Sequence, residues 1–309
     1  VAIIDHTGEG FEGREHIHVY KATPDTLDFT PAEGTRLATD GERWVGFRAD
    51  ADASHVVGFP EAPLIQNEIP EMMEVELDAH EGLALPFGED SVLTTAGGAL
   101  ARLDATGTEI DRVTGCTAPR HGVRHGDAAV LTCEEGWGTV RADAELALTI
   151  TPYASGQPGQ PLIEHVDADR VAAFDGTTLH WLAVGSAPEA GSAALSVPAC
   201  DVVFEEEFGT SLAALATDGN LYRLTLEGAV EGAGVSVSGA FECGESIRPH
   251  LATAPRLTFV SLPSTGEVVE LDASFVEQHR YEVGGRPNLV AVLGMDPRNR
   301  NAGYCTTCD

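Results

Sequence analysis

Apolar and polar positions along this chain follow a repeating unit, in which two short apolar strands are joined by a tight polar turn. The stretch from Cys116 to Val140 shows one complete unit. In it, a segment with His121 leads to a turn at Gly126-Asp127, and an apolar strand runs from Ala128 to Cys133. A Gly-rich turn then leads to a second strand from Thr139. Val, Leu, Thr and Trp between Gly, Asp and Ser are typical of short strands and their turns.

Seven copies of this unit fill the chain without a linker between them. A period of roughly 40–45 residues built from short strands is typical of a β-propeller blade. We therefore predict an all-β fold: a single β-propeller domain over residues 1–309, with seven blades and a C-terminal tail at 295–309. Eight blades or a pair of sandwiches are the alternatives. The first strands of the copies begin near Ala2, Trp44, Ser91, Ala128, Val171, Ser211 and Leu257.

The two ends of the sequence predict how the propeller closes. The chain begins in what the other copies use as their second strand, and Arg286 to Gly294 has the pattern of an innermost strand without a partner. Because an open ring leaves a bare sheet edge, we expect this C-terminal strand to join and complete the first blade. The segment from Glu68 to His80 is compatible with a helical turn instead of a strand.

The chain is strongly acidic, with 49 Asp and Glu, 18 Lys and Arg, and a formal net charge of −31. Nucleic acid is excluded as a partner, since phosphate binding requires clustered Lys and Arg. The acidic excess serves solubility in one interpretation and attracts cations, including metal ions, in another. No apolar run is long enough to span a membrane, so we expect no membrane span. We expect an export segment before Val1, with or without a lipid anchor.

Six cysteines, an even number, favour a periplasmic or extracellular location, where disulfides form. The first two cysteines are placed in adjacent strands of one blade, which favours a bridge between them. The last two form a Cys-x-x-Cys motif, which also matches half of a zinc site. Fifteen pairings exist for six cysteines. The pairing that we expect is Cys116–Cys133, Cys200–Cys243 and Cys305–Cys308.

Histidines recur at one place in the repeat, just before the innermost strand of a blade. Ligand sites of propellers usually lie at that face, and the equivalent position of a further blade is near Asp201. Imidazoles and carboxylates that converge from several blades provide the donors of a zinc or copper site. In the alternative interpretation, each histidine only hydrogen-bonds a turn of the neighbouring blade. The recurring histidines are His80, His121, His165 and His250.

The first copy holds a second group of candidate metal ligands. Asp5 and His6 lie in its turn, on the same face as the recurring histidines if the register holds. His16 and His18 are two residues apart on a predicted strand, so both side chains face one way as a metal-binding pair. This pair lies on an outer strand, where histidines are commonly solvated.

Motifs of catalysis are absent from the sequence, which has no Gly-x-Ser-x-Gly, phosphate loop or dinucleotide fingerprint. We therefore expect no enzyme activity. Metal-dependent propeller hydrolases hold their metal at the channel with carboxylates and an amide. The candidates for such a site are Glu81, Asp201 and Asn288.

The stretch from Cys116 to Val140 resembles the Cys…His-Gly…Gly-Asp…Cys segment of bacterial zinc metallochaperones of the AztD type. The residues "DAHEGLALPFGED" are similar to the family's His-Gly-Glu segment, and Arg248 to Gly294 resembles its last blade and closing strand. The resemblance implies a periplasmic propeller that binds zinc and passes it to the solute-binding protein of an ABC transporter. It also implies His80, His121 and His250 as ligands.

The chain departs from this family in the connection before the third blade. The family often has a His/Asp-rich run there, whereas residues 61–80 of this chain carry acidic residues, two methionines and one histidine. The zinc site is then weaker, absent, or moved to the Asp5, His6, His16 and His18 region. The other two hypotheses are a propeller scaffold that docks proteins through its acidic surface, and a metal-dependent hydrolase.

Overall fold

A computed structural model of the chain describes residues 2–5, 18–21, 36–39, 43–49, 53–60, 73–78, 82–88, 91–142, 147–153, 162–163, 165, 168–184, 189–205, 209–245, 247–254, 256–287 and 290–293. Within these ranges, every helix or strand element is a β-strand. The strands are β1 (Ala2–Asp5), β2 (His18–Lys21), β3 (Arg36–Thr39), β4 (Arg43–Ala49), β5 (Ala53–Pro60), β6 (Met73–Asp78), β7 (Ala84–Phe87), β8 (Ser91–Ala96), β9 (Ala99–Leu103), β10 (Glu109–Val113), β11 (His121–His125), β12 (Ala128–Cys133), β13 (Gly136–Ala142), β14 (Leu148–Tyr153), β15 (Leu162–Ile163), β16 (Arg170–Phe174), β17 (Thr178–Ala183), β18 (Glu189–Ala194), β19 (Ala199–Phe204), β20 (Ser211–Ala216), β21 (Asn220–Thr225), β22 (Val230–Ser236), β23 (Leu251–Ala254), β24 (Leu257–Leu262), β25 (Glu267–Asp272), β26 (Glu277–Glu282) and β27 (Val290–Leu293).

The strands belong to two compact units. Unit 1 comprises Val1–Thr26, Phe174–Leu179 and Ser192–Asp309, and unit 2 comprises Leu27–Ala173 and His180–Gly191. Unit 2 holds the sheets β3-β4-β5-β6, β10-β9-β8-β7 and β11-β12-β13-β14, and unit 1 holds β2-β1-β27, β19-β20-β21-β22 and β23-β24-β25-β26. The remaining sheet, β15-β16-β17-β18, contributes residues to both units.

The strand positions confirm the repeat that the sequence predicts. The first strand of each predicted copy corresponds to β1, β4, β8, β12, β16, β20 and β24, and each begins within one residue of its predicted start. In the six sheets of four strands, each of these strands is the second strand of its sheet in chain order. The neighbouring strands whose register is defined there are antiparallel.

The C-terminal strand joins the first copy, as predicted. β27 pairs with β1, with Ala2 opposite Val290 and Ile4 opposite Val292. The two strands are parallel, whereas β1 and β2 are antiparallel. Val290 is buried against a cluster in the neighbouring sheet that includes Phe259. The predicted tail at 295–309 lies outside the described residues, and the single-domain organisation stays a prediction.

The segment compatible with a helical turn contains a strand instead. In β6 the apolar Met73, Val75 and Leu77 are partly buried, while Glu74 and Glu76 between them are exposed. This strict alternation has the period of a strand with one face towards a core, because successive side chains of a strand point to opposite faces. A helix would place these acidic residues on the same side as some of the apolar ones. In the described residues no helix is long and apolar enough to cross a membrane.

Within each unit, consecutive sheets pack face to face through their central strands. In unit 2, Leu85 and Leu93 of one sheet join Leu131 and Val140 of the next in one buried cluster. In unit 1, Leu215 and Leu221 pack with Val260 and other residues of the following sheet. All six residues of β12 are buried, and Thr132 is the one residue of this strand with a polar hydroxyl.

Candidate functional site

Two predicted disulfides are present and lie beside the histidines of interest. Cys116 bonds Cys133 and Cys200 bonds Cys243, with Cα atoms 5.2 Å and 4.8 Å apart. The expectation that Cys116 lies in a strand is wrong, because it lies in the connection between β10 and β11. Both bridges therefore fasten a connection between two sheets to a strand. The last two cysteines, Cys305 and Cys308, lie outside the described residues.

His250 and Asp201 form the best-defined pair of candidate ligands. Nδ1 of His250 lies 3.0 Å from Oδ2 of Asp201, and the same oxygen accepts a hydrogen bond of 2.9 Å from the Leu251 amide. The two side chains are 24% and 17% exposed. His250 lies immediately before β23, as predicted, whereas Asp201 belongs to β19 of the preceding sheet. The contact thus joins two consecutive sheets of unit 1.

A β-bulge sets the position of Asp201. The pairing of β19 with β20 shifts register between Ala199 and Asp201, which leaves Cys200 as the extra residue. Bulges bend a strand and re-aim its side chains. At this bulge the disulfide leaves from Cys200 and the carboxylate that contacts His250 leaves from the next residue. The covalent bridge and the polar contact therefore share one irregular segment of backbone.

A hydroxyl group fixes the backbone of His250. The His250 amide donates to Oγ of Ser261 at 3.0 Å, and the Ser261 amide donates to the His250 carbonyl at 2.9 Å. His121 makes the equivalent bond in unit 2, where its amide donates to Oγ1 of Thr132 at 3.2 Å. Ser261 and Thr132 are both fully buried. A hydrogen bond from the backbone amide to a buried hydroxyl therefore holds both histidines at the start of their sheets.

We expect the Ser261→Ala substitution to destabilise the protein by about 1–2 kcal/mol, because the His250 amide loses its acceptor in a partly buried setting. Chemical denaturation of the variant and the wild type would measure this difference. Ser274→Ala is the matched control, since Ser274 is exposed and its hydroxyl has no hydrogen-bond partner among the described residues. Equal losses in both variants would contradict a specific role for the Ser261 hydroxyl.

The other histidines predicted before innermost strands have different outcomes. His121 is partly buried and is the first residue of β11, whereas the repeat predicted it in the loop just before this strand. His165 is buried, but it follows β15 instead of preceding it, so its predicted placement is wrong. His80 lies outside the described residues. In the described part of the chain, no three His, Cys, Asp or Glu residues form a group that could hold a metal ion.

The ligand candidates of the first copy are described only in part. The backbone register places Asp5 of β1 directly opposite His18 of β2. His6 and His16 lie outside the described residues. The register therefore brings one predicted carboxylate and one predicted imidazole to the same rung of the sheet. Their role as metal ligands stays a prediction, as does that of His80, His121, His165 and His250.

A carboxylate in the turn between β12 and β13 holds the connection before His121. Glu135 accepts hydrogen bonds from the hydroxyl and the amide of Thr117. These bonds lower the pKa of Glu135, with the Thr117 hydroxyl as the main cause. A lowered pKa means that the carboxylate form favours the folded state, and this contribution is lost as the pH falls through the lowered pKa. At neutral pH, the Thr117–Glu135 hydrogen bonds and the Cys116–Cys133 bridge therefore both hold the connection before His121 on the β12–β13 hairpin.

Sequence reasoning identified Asp201 by its place in the repeat, but missed its contact with His250. The two residues are far apart in sequence and meet across two sheets. The one signal in the sequence was the Cys200–Cys243 pairing, which brings the residue before Asp201 close to the connection that ends at His250. Of the three residues considered for a hydrolase site, Glu81 and Asn288 lie outside the described residues.

Comparison with solved structures shows which known proteins have a similar fold. The chain is similar to apo AztD from Citrobacter koseri, with a TM-score of 0.64 and 18% identity over 82% of this chain and 74% of that one. A second structure of Citrobacter koseri AztD gives a TM-score of 0.63 and 17% identity over 81% and 71% of the two chains. The resemblance seen in the sequence is therefore confirmed at the level of structure.

More distant likenesses have the same fold. Virginiamycin B lyase from Staphylococcus aureus gives a TM-score of 0.52 and 11% identity over 80% of this chain and 82% of that one. Together with the strand order, these similarities confirm the predicted all-β propeller fold. No protein-family model matches the chain. No curated protein sequence matches it either.

Proposed function

We propose that this protein is an extracytoplasmic zinc metallochaperone, which captures zinc and delivers it to the solute-binding protein of an ABC transporter. The observation that carries the proposal is the His250–Asp201 pair at the start of β23. The structural likeness to AztD from Citrobacter koseri supports it. The two disulfides support a periplasmic or extracellular location, because such bonds persist in oxidising compartments.

The pair has the arrangement that prepares an imidazole to bind zinc. Oδ2 of Asp201 already accepts the Leu251 amide, so this oxygen acts as an acceptor towards Nδ1 of His250 as well. Nδ1 then carries the proton, and Nε2 presents its lone pair. A carboxylate behind a ligating histidine fixes the tautomer and the ring orientation and makes the imidazole a stronger donor. Nε2 has no hydrogen-bond partner among the described residues.

Zinc is the cargo in this proposal, and a cargo site has to exchange its metal. Closed tetrahedral shells are characteristic of structural zinc, whereas sites with an open position react with incoming ligands. His250 is about one-quarter exposed, which gives an incoming ligand access to the ring. The further ligand candidates in the same unit as His250 are Asp5, His6, His16 and His18, whereas His80, His121 and His165 belong to unit 2 and are separate candidates.

A non-catalytic role is part of the same proposal. Asp201, one candidate for a hydrolase metal site, is engaged by His250 and the Leu251 amide. A carboxylate in this position serves an imidazole better than it serves a hard cation such as calcium, which takes six to eight oxygen ligands. We therefore assign no reaction to the chain, although virginiamycin B lyase has the same fold.

Zinc titration of the metal-stripped protein against a competing chelator would test the proposal. We expect one tight equivalent at about pH 7.5 and binding at least about tenfold weaker at pH 5.5, because protonated imidazole does not bind metal. His250→Ala should lose tight binding. His279→Ala is the control, since His279 is exposed on β26 and its ring contacts that of Tyr281 at a tilt of 59°. Transfer of the bound zinc to a zinc solute-binding protein would test delivery.

The other outcomes separate the remaining hypotheses. Absence of zinc binding at both pH values would refute the chaperone role and favour the acidic scaffold. Binding of calcium in place of zinc, unaffected by His250→Ala, would favour a carboxylate site of the hydrolase kind. Tight zinc binding without transfer would refute delivery and leave a zinc-storage protein.

A further inference from the structure

The Cys200–Cys243 disulfide is placed to hold the His250–Asp201 pair. Cys200 is the bulged residue directly before Asp201, and Cys243 lies in the connection that ends at His250. The bridge and the polar contact thus close a small ring, formed by the chain from Cys243 to His250 and the dipeptide Cys200-Asp201. A short covalent tether of this kind raises the effective concentration of one partner beside the other.

Hydrogen bonds secure only the first part of this connection. The amides of Val237 and Ser238 donate to the Gly219 carbonyl, and the Phe241 amide donates to the Thr217 carbonyl. After Phe241, the structure describes residues 242–245 and 247–249 of the connection. The N–H and O–H groups of these residues make no hydrogen bond to a residue outside the connection. The disulfide is therefore the main anchor of the segment that leads to His250.

The two disulfides differ in their exposure. Cys116 and Cys133 are 3% and 4% exposed, so the bridge between them is buried in the core of unit 2. Cys200 is also buried, at 3%, but Cys243 is exposed. Thiol–disulfide exchange requires access of a thiolate to one of the two sulfurs. The Cys200–Cys243 bridge has one exposed residue, Cys243, whose Sγ lies 3.6 Å from the Ala199 carbonyl oxygen, whereas both residues of the Cys116–Cys133 bridge are buried.

We propose that the Cys200–Cys243 disulfide is a thiol-sensitive latch on the His250–Asp201 pair, so that a dithiol reductant loosens the pair and lowers its affinity for zinc. The loss of zinc affinity rests on the proposed function, whereas the loosening of the pair does not. Zinc would be held by the oxidised protein and released at a reducing partner. The Cys116–Cys133 bridge stays intact under the same conditions and keeps unit 2 unchanged.

The chemistry is a two-electron exchange. One thiolate of the dithiol attacks the Cys243 sulfur and expels the Cys200 sulfur, which takes up a proton. The second thiol of the reductant, after losing its proton, attacks the mixed disulfide and expels the Cys243 sulfur, which is protonated in turn. The protein gains two thiols, and the reductant is oxidised to its cyclic disulfide.

Mild treatment with dithiothreitol, followed by alkylation and peptide mass spectrometry, would test the accessibility. We expect Cys243 and Cys200 to be labelled at dithiothreitol concentrations at least about tenfold below those that label Cys116 and Cys133, because exchange requires access. Equal labelling of both bridges, or earlier labelling of Cys116 and Cys133, would overturn the proposal.

Amide hydrogen exchange would test the loosening in the metal-stripped protein. After selective reduction, the Leu251 amide, which donates to Asp201, should exchange at least about tenfold faster, because opening of the pair exposes it. The His121 amide, bonded to Thr132, is the control and should keep its rate. An unchanged Leu251 rate would overturn the proposal whether or not the protein binds zinc.

The Cys200→Ala/Cys243→Ala variant links the latch to zinc, because it removes the bridge without leaving thiols that bind metal. We expect zinc affinity about tenfold below wild type, the loss typical of a disturbed partner of a metal-ligating histidine. Wild-type affinity in the folded variant would overturn the latch. Failure of the oxidised wild type to bind zinc would refute the proposed function alone. The hydrogen-exchange result stands if the variant does not fold.

Discussion

Replacement of Asp201 should weaken zinc binding in two steps, by about tenfold for Asp201→Asn and by about a hundredfold for Asp201→Ala. The grading follows from the contacts of Oδ2. Because the Leu251 amide donates to this atom, the asparagine is expected to keep its oxygen there and to accept from Nδ1 of His250 as well. Only the negative charge is then lost. Alanine removes the acceptor, so neither the ring orientation nor the tautomer of His250 is fixed.

Competition with a chelator would measure these affinities, with Asp127→Asn as the matched control. The Asp127 side chain is 82% exposed and pairs with Arg141, and it is far in sequence from both Asp201 and His250. A control variant with wild-type affinity excludes a general effect of lowering the negative charge. If Asp201→Ala bound zinc as tightly as the wild type, His250 would not be a ligand supported by Asp201, and the proposed site would be wrong.

The Gly219→Ala substitution should cost more than about 2 kcal/mol of stability, because it combines backbone strain with a direct clash. Gly219 lies in the turn between β20 and β21 with φ of +81°, where residues with a Cβ atom are strained. A Cβ atom there would lie 2.4 Å from the Ser238 carbonyl oxygen and 2.6 Å from that of Gly239. Those backbone atoms belong to the connection that leads to Cys243.

Gly126→Ala separates the two contributions. Gly126 also has a positive φ, of +60°, but a Cβ atom there would meet nothing within 4 Å. We expect its loss of stability to be about 1 kcal/mol, the cost of the left-handed conformation alone. Urea denaturation of both variants gives the difference, provided that the slopes agree. If the two losses were equal, close packing of the connection on Gly219 would have no energetic role.

The sequence predicted the central strands well because their pattern is local. A run of apolar residues with a few serines and threonines, bounded by turn residues, marks β8, β12 and β20 without knowledge of the neighbours. The first strand of a sheet is harder to locate. β15 has only two residues, too short for a pattern, and His165 was therefore placed before this strand instead of after it.

The site could be predicted only in part, because its contacts are not local. The repeat indicated both Asp201 and His250 but assigned them to different blades with no reason to meet. Their contact depends on the bulge at Cys200, which shifts the register of β19 by one residue. No periodic pattern contains such a shift. The expected disulfide pairing, one of the fifteen possible for six cysteines, proved right for Cys200 and Cys243.

The pairing of β27 with β1 has a consequence for how the protein is made. Ala2 leaves the ribosome long before its partner Val290, because almost all of the propeller sequence lies between them. Contacts between such distant residues form slowly, since the closing of a long loop has to precede any gain from the pairing. Until then β1 lacks its parallel neighbour, and Val290 cannot cover Phe259. Newly made chains should therefore keep a long-lived open state, suited to export before folding and dependent on protection from aggregation.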